Sequence, residues 1–376
     1  MLLNYQNKAT ENEILNISNL NLGNKLNINS DYINLLIQSD NIEALKLLLY
    51  DYNLKNKIDL IYIDPPFSTN ITFKMNEGRA NTISSSNNGT IAYKDNLQGA
   101  DFIEFLRRRL ILLRELMSEK ASIYLHIDYK IGHYVKVMMD EVFGINNFRN
   151  DITRIKCNPK NFSRKAFGNI KDLILFYTKT DNFTWNDVFL PYTKDDIEKL
   201  FKKTDEKGRK YTTIPLHAPG ETKNGSTNGT WKGVAPPEGR HWRCNPIELD
   251  ELENKKLIEW SSNGVPRKII YADEEVNKGK KMQDIWEFKD PQYPVYPTEK
   301  NLELLKLIIK TSSNEGDIVL DSFCGSGTTL YAANQLNRKW IGIDESESAI
   351  NVTKRKLSKF DNSLFTQNSN YKFFSI

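Results

Sequence analysis

Residues 317–344 read DIVLDSFCGSGTTLYAANQLNRKWIGID, and this stretch decides the fold. Asp317–Leu320 is a short apolar strand, Gly325 and Gly327 lie in a turn, Thr328–Leu336 has helical spacing, and Lys339–Ile343 is a second strand. Strand, turn, helix, strand is the rhythm of an α/β sheet. Glycines in such a turn let a ligand approach the backbone, and the start of a helix offers N–H groups that have no partner inside the helix. Asp344 stands 19 residues beyond Gly325, where a carboxylate can accept the two hydroxyls of a ribose. A P-loop is excluded, because no Lys-Ser/Thr follows the glycines. A dinucleotide turn is disfavoured, because Leu330 occupies the place of the third glycine and Asp321 would repel a phosphate. The acid suits a ligand that carries an ammonium group. S-adenosylmethionine has an ammonium, a sulfonium and a ribose. The same residues also allow a plain strand–helix corner without a ligand.

A second corner follows another apolar strand. Ile58–Ile63 (IDLIYI) stops at Asp64-Pro65-Pro66-Phe67. Strand ends in open α/β sheets are where ligands bind. Two prolines fix φ and supply no N–H, so the carbonyls here are pure acceptors beside the Asp64 carboxylate. Such a corner is built to receive an NH2 group, and Phe67 adds a flat face on which a base can stack. The bland alternative is a rigid strand-to-loop corner with a solvated Asp64.

Working outward, the spacing predicts helices over Asn41–Tyr50, Asp101–Leu116, Gly132–Phe143 and Asn301–Lys310, and strands over Ala121–Ile127, Asp151–Lys156 and Asp172–Tyr177. Residues 1–30 are an Asn-rich extension, 31–181 form the first part of the α/β domain, and 286–376 form its second part. Between them, over 182–285, the pattern degrades. Its segment GETKNGSTNGTWKGVAPPEGRHWR (220–243) is turn-rich, which argues against a long helix or a buried strand and for an irregular inserted domain. Residues 76–98 read as a long loop, either a plain disordered one or a lid over a site. The run Arg107-Arg108-Arg109 reads as a solvated helix face. His126 and His133 lack metal-ligand spacing, so no metal is expected, and Cys324 reads as a small filler in the turn.

The 376 residues carry 52 Lys+Arg against 48 Asp+Glu, a balance that tolerates nucleic acid without demanding it. Three scattered cysteines exclude a disulfide framework and a Cys-rich zinc module. No apolar run is long enough to span a membrane, and the N-terminus lacks the pattern of a signal peptide. The expectation is a soluble cytoplasmic protein.

Taken together and in this order, several stretches resemble the bacterial S-adenosylmethionine-dependent DNA amino-methyltransferases of the beta group, in which the catalytic motif precedes the cofactor motif. They are LIQSDNIEALKLL, IDLIYIDPPFST, FLRRRLILLRELM, DLILFYTK, YPTEKN and LDSFCGSGTT, spread between about residues 31 and 356. The nearest likeness is to type III Mod-like and stand-alone type II modification methylases. The resemblance implies a Rossmann-like methyltransferase sheet, α/β and mostly parallel with an antiparallel edge hairpin, plus an inserted irregular recognition domain. It implies that Asp321, Phe323, Gly325 and Gly327 form the S-adenosyl-L-methionine loop, that Asp344 holds the ribose, and that Asp40 meets the adenine. Thr298 and Lys300 match the segment near the methionine end of the cofactor, where the family more often has His, Gln and a final Pro than Tyr296, Glu299 and Asn301. Asp64, Pro65, Pro66 and Phe67 would be the catalytic pocket.

The activity so implied is site-specific adenine N6-methylation of double-stranded DNA, with the target base flipped out of the helix. Asp rather than Ser at position 64 favours adenine over cytosine N4, which stays as an alternative. A non-catalytic DNA-recognition subunit of a restriction–modification complex is the alternative of a different class. Methylation at cytosine carbon 5 is rejected, because none of the three cysteines follows a proline. A cognate restriction endonuclease and a second copy of the chain are the partners that family relatives suggest. The insertion would read DNA through Arg240, Arg243, Arg267 and Lys268, with Trp242 either beside them or, with Trp231 and Trp260, in the insertion's own core.

Overall fold

The computed structural model describes residues 2–16, 34–66, 72–76, 79–80, 90–94, 99–159, 165–222, 225–294, 296–297, 299–360 and 371–376. Most of the loop expected over 76–98, most of the second half of the 1–30 extension, Phe67 and Thr298 lie outside the described residues. The chain divides into two compact units, one made of Met1–Asp187 with Gln283–Ile376 and the other of Val188–Met282.

In the first unit nine strands pair into one sheet. In chain order they are β1 (Leu35–Gln38), β2 (Ile58–Ile63), β3 (Met117–Ile127), β4 (Phe148–Ile155), β5 (Lys171–Thr178), β6 (Ile285–Glu287), β7 (Ile318–Asp321), β8 (Lys339–Asp344) and β9 (Lys372–Ser375). Their order across the sheet is β6-β4-β5-β3-β2-β7-β8-β1-β9. Only β5 runs antiparallel to its neighbours, and every other pairing is parallel. The sheet is therefore the expected mostly parallel one. Its antiparallel hairpin, β4–β5, lies toward one edge, where the short β6 extends the sheet one strand further. Parallel strands covered on both faces read as continuous apolar runs, which is why IDLIYI is buried at five of its six positions.

Six helices belong to this unit's α/β rhythm: α1 (Asn41–Tyr50), α2 (Gly99–Leu116), α3 (Gly132–Phe143), α4 (Leu302–Ser312), α5 (Thr328–Gln335) and α6 (Glu347–Leu357). Helix α2 supplies much of the core through Phe102, Leu106, Leu110, Leu113 and Leu116, all fully buried, and each such side chain contributes roughly 1.5–3 kcal/mol by leaving water. Leu330 on α5 explains the missing third glycine. A Cβ on Gly342 of β8 would collide with Leu330 Cδ1, so the close helix–strand contact is made with the glycine on the strand and the large residue on the helix.

The reading of Arg107-Arg108-Arg109 as a solvated face is corrected. Arg107 and Arg109 are 5% and 4% exposed. Arg107 Nε donates to Glu141 Oε1 at 3.1 Å, and Arg109 Nη2 to Asp40 Oδ2 at 3.0 Å; buried guanidinium groups persist only when paired in this way. The described part of the N-terminal extension joins the same cluster, through Lys8 to Glu141 at 2.7 Å and Tyr5 Oη to Glu104 at 2.7 Å. Among the described residues no helix is long and apolar enough to cross a membrane.

The second unit is less irregular than its sequence suggests. Lys203–Thr204, Lys210–Pro215, Pro266–Tyr271 and Ile258–Trp260 form a four-stranded antiparallel sheet. The turn-rich segment was expected to hold no buried strand, yet its end, Arg240–Trp242, pairs with His217–Pro219, and Trp242 is fully buried. A three-residue strand is too short to register as a pattern. Trp231 and Trp242 pack with Leu216 and Leu249, and Trp231 stacks on the more exposed Trp260 with ring centroids 5.6 Å apart. Trp242 thus belongs to the unit's core.

Candidate active site

Register brings the two corners together. Leu320 of β7 pairs with Ile61 of β2 on one side and Ile341 of β8 on the other, while Gln38 of β1 pairs with Asp344 of β8. Going across the sheet, four neighbouring parallel strands, β1, β8, β7 and β2, therefore present Asp40, Asp344, Asp321 and Asp64 at or just beyond their C-terminal ends. Neighbouring strands lie about 4.8 Å apart. The cofactor turn and the Asp-Pro-Pro corner are thus side by side at the sheet edge where such folds bind ligands.

The four acids fall into two kinds. The outer two face built-in cations. Asp40 pairs with Arg109 at 3.0 Å and caps helix α1, its Oδ1 accepting from Ile42 N at 2.8 Å and Glu43 N at 3.4 Å. Asp64 pairs through Oδ2 with the Lys300 ammonium. Its Oδ1 is buried and accepts no hydrogen bond among the described residues. Among the described residues the inner two have amide and hydroxyl donors only. Asp321 accepts from Phe323 N at 3.0 Å and Thr329 Oγ1 at 2.6 Å. Asp344 accepts from Gly325 N at 2.8 Å and Ser346 N at 2.9 Å. Burial, reinforced by neighbouring carboxylates, pushes Asp321 up to about 7 and Asp344 up to about 6.

The turn between them is tightly specified. Gly327 has φ +70°, and a Cβ there would lie 2.6 Å from Thr353 Oγ1; glycine alone meets both demands. It precedes the first turn of α5 with no side-chain cap, which leaves the amides there for a ligand. Thr353 Oγ1 donates to Gly325 O at 3.0 Å. Lys356 Nζ donates to Thr328 Oγ1 at 2.8 Å and to Glu299 Oε1 at 2.6 Å. Cys324 is the small buried filler expected, and burial pushes its thiol up, away from nucleophilic use.

These residues fit S-adenosyl-L-methionine. When ionised, the two inner carboxylates carry negative charge with no cation paired to them among the described residues, which suits a ligand bearing an ammonium and a sulfonium, and Asp344 stands at the end of β8, where the sequence leads us to expect a ribose acceptor. Asp321, Phe323, Gly325, Gly327, Asp344, Asp40, Asp64, Pro65, Pro66 and Lys300 all belong to this one edge. Lys300, expected near the methionine end of the cofactor, pairs with the Asp64 carboxylate.

Sequence reasoning missed several supporting residues. Arg109 Nε donates to Asn41 Oδ1, and Asn41 Nδ2 to Ser322 O in the cofactor turn at 3.0 Å. Helical spacing held the signal: Phe102, Leu106, Arg109 and Leu113 follow one stripe, so Arg109 lies on the core face. Beneath Asp64, Tyr62 Oη lies 2.9 Å from His126 Nδ1, and His126 Nε2 lies 3.2 Å from Asp172 Oδ2. Burial lowers the His126 pKa and so keeps the ring neutral. Lys156 Nζ completes the row on Asp172 Oδ1 at 2.6 Å.

A mostly parallel sheet with a Gly-rich turn after one strand and an Asp-Pro-Pro corner after the next is the arrangement of an S-adenosyl-L-methionine-dependent methyltransferase. The family described as DNA methylase, of the N6/N4 type, matches residues 58–355, and the chain belongs to it. Among curated relatives, the type II methyltransferase M.EcaI of Enterobacter cloacae is 41% identical over 370 residues, covering 95% of this chain and 77% of that protein. The StyLTI Mod subunit of a Salmonella typhimurium type III restriction-modification enzyme is 27% identical; the match covers 84% of this chain and 52% of the subunit. Among solved structures, M1.HpyAVI in complex with SAM is 19% identical with a TM-score of 0.43, covering 86% of this chain and all of that one.

Proposed function

We propose that this chain is a site-specific DNA adenine N6-methyltransferase of a bacterial restriction–modification system. One observation carries the reading: Asp64 offers a buried oxygen, Oδ1, with no hydrogen-bond partner among the described residues, while Lys300 occupies Oδ2. A buried acceptor without a donor is costly, and an exocyclic NH2 group would satisfy it. The Pro65 carbonyl beside it accepts the second amino hydrogen. With both hydrogens directed at these acceptors, the nitrogen is drawn toward a pyramidal geometry and its lone pair is released from the ring. S-adenosyl-L-methionine supplies the electrophilic methyl group. The nitrogen lone pair forms the new N–C bond as the S–C bond breaks, and the nitrogen then loses one proton to solvent. Catalysis is positioning and electrostatics.

Phe67 would stack the flipped base. The insertion, whose boundaries we place at 182–285, would read the target. Arg240 Nη1 lies 3.1 Å from His217 Nδ1, and Arg243 Nε donates to His217 O at 3.2 Å. Burial, and then these arginines, lower the His217 pKa, so the cluster holds its cations beside a neutral imidazole and suits phosphate or guanine contacts. Arg267 is engaged by Thr213, with Nη2 donating to Thr213 O at 2.7 Å. The names of the relatives point to restriction–modification and, by extension, to a cognate endonuclease; a second copy of this chain is a further partner to test.

The deciding experiment is methyl transfer from labelled S-adenosyl-L-methionine to mixed genomic DNA, followed by nucleoside mass analysis. N6-methyladenine supports the proposal. N4-methylcytosine would keep the mechanism and overturn the choice of base. No methylated nucleoside, with cofactor bound, would favour a recognition-only subunit.

A further inference from the structure

We infer that Lys300 is the positioning residue of the catalytic carboxylate, which fixes Asp64 so that Oδ1 alone is presented to the target amine. This rests on the reading above and deepens it, because the resemblance assigns the residue to the cofactor's methionine end. The Lys300 and Asp64 side chains are 9% and 15% exposed and form an ion pair. A carboxylate has two equivalent oxygens and rotates freely unless one is held. An ammonium on Oδ2 removes that freedom and leaves the buried Oδ1 as the acceptor in a fixed direction.

The backbone that delivers Lys300 is held on both sides. Before it, Tyr296 and Pro297 are buried, and a Cβ on Gly325 would lie 3.8 Å from Tyr296 Cε1. Glu299 Oε1 pairs with Lys356 Nζ at 2.6 Å, and the same ammonium donates to Ser326 Oγ at 3.2 Å and Thr328 Oγ1 at 2.8 Å in the cofactor turn. After it, Asn301 Oδ1 caps α4, accepting from Glu303 N at 2.9 Å, and its Nδ2 donates to Lys289 O at 2.9 Å. The segment is a strap from the cofactor turn to the catalytic strand end, and Lys300 is its contact with Asp64. Placement of the carboxylate is thereby tied to the same residues that shape the cofactor turn.

Two measurements test this. In the first, Lys300→Met and Lys300→Arg are compared with wild type for DNA methyl transfer at saturating S-adenosyl-L-methionine and for cofactor affinity by calorimetry. A misplaced acceptor costs turnover, so Lys300→Met is expected to lose about a hundredfold in kcat while the cofactor Kd moves by less than about threefold. Lys300→Arg, which keeps the cation, should recover at least about a tenth of wild-type turnover. A cofactor Kd weakened more than about tenfold with kcat unchanged at saturation would overturn the inference and return Lys300 to the cofactor.

The second is a melting cycle that needs no activity. Lys300→Met strands a buried carboxylate and should lower Tm by about 5 °C or more, and adding Asp64→Asn should restore most of that loss. Equal loss in the single and double variants overturns the inference. If wild type binds cofactor but methylates no DNA, the proposed function fails, and the melting cycle alone then decides whether Lys300 holds Asp64.

Discussion

The outer and inner acids of one sheet edge have the same side chain, the same kind of position and different surroundings. Asp64 and Asp40 face Lys300 and Arg109, while Asp321 and Asp344 face amides and hydroxyls. A paired carboxylate is electrostatically answered from within the protein and can act as a hydrogen-bond acceptor toward a neutral partner. An unpaired buried carboxylate is a deficit that a cationic ligand fills. On the proposed reading, the comparison sets Asp64, the acceptor for the target amine, apart from Asp321 and Asp344, the acids left for the cofactor's charged and hydroxyl groups.

The sharpest way to break this division is Asp64→Ala. If Asp64 serves the target amine and not the cofactor, methyl transfer should fall by about 10²–10³-fold, as for loss of one preorganised electrostatic contact, while calorimetry finds cofactor affinity within about threefold of wild type. Joint loss of binding and transfer would merge the two kinds of acid. Asp344→Asn should do the converse. Hydrogen bonds to charged groups are worth about 1.5–3 kcal/mol, so the cofactor Kd should weaken by about tenfold to a hundredfold. Turnover at saturating cofactor should stay closer to wild type than it does for Asp64→Ala.

Both kinds of acid were legible in the sequence wherever an apolar strand ran directly into them, as in IDLIYI-Asp64 and DIVL-Asp321. Their partners were not. Lys300 lies 236 residues from Asp64, and Arg109 lies 69 from Asp40; long-range pairing leaves no periodic trace. A triple arginine looks solvated until the stripe through Leu106 and Leu113 is followed. Strands β1 and β9 have four residues each, too few for alternation to register, so the sheet's far edge stayed hidden. In the insertion, Lys210–Pro215 has no fully buried position, and a strand without an apolar face gives sequence reasoning little to hold.

The inner acids also carry a pH signature. Burial raises Asp344 to about 6 and Asp321 to about 7. A ribose and an ammonium both favour the ionised carboxylates, so binding must expel whatever protons these groups still hold. Cofactor affinity should therefore rise as pH increases from about 5 to 7 and level off above the higher of the two values, with up to about tenfold gained per pH unit for each group still protonated. Calorimetry in buffers of different ionisation enthalpy should find proton release near pH 6. Affinity flat across this window would mean that the inner acids do not meet the charged and hydroxyl groups of the ligand.

The smallest expected effect distinguishes the two outer pairs from each other. The Asp40 side chain is 39% exposed, against 15% for Asp64, so water screens this pair from the carboxylate side although Arg109 is buried. Asp40 also keeps its place as the cap of α1 whether or not Arg109 is present. Arg109→Lys should therefore weaken cofactor binding by no more than about fivefold and leave kcat near wild type. Arg109→Gln should add a loss of stability, because the buried end that donates to Asn41 would be only partly replaced. A large fall in cofactor affinity for Arg109→Lys, with Tm unchanged, would show that the guanidinium reaches the ligand itself. The Asp40 pair would then belong with the cofactor's anchors rather than with the self-contained pair at Asp64.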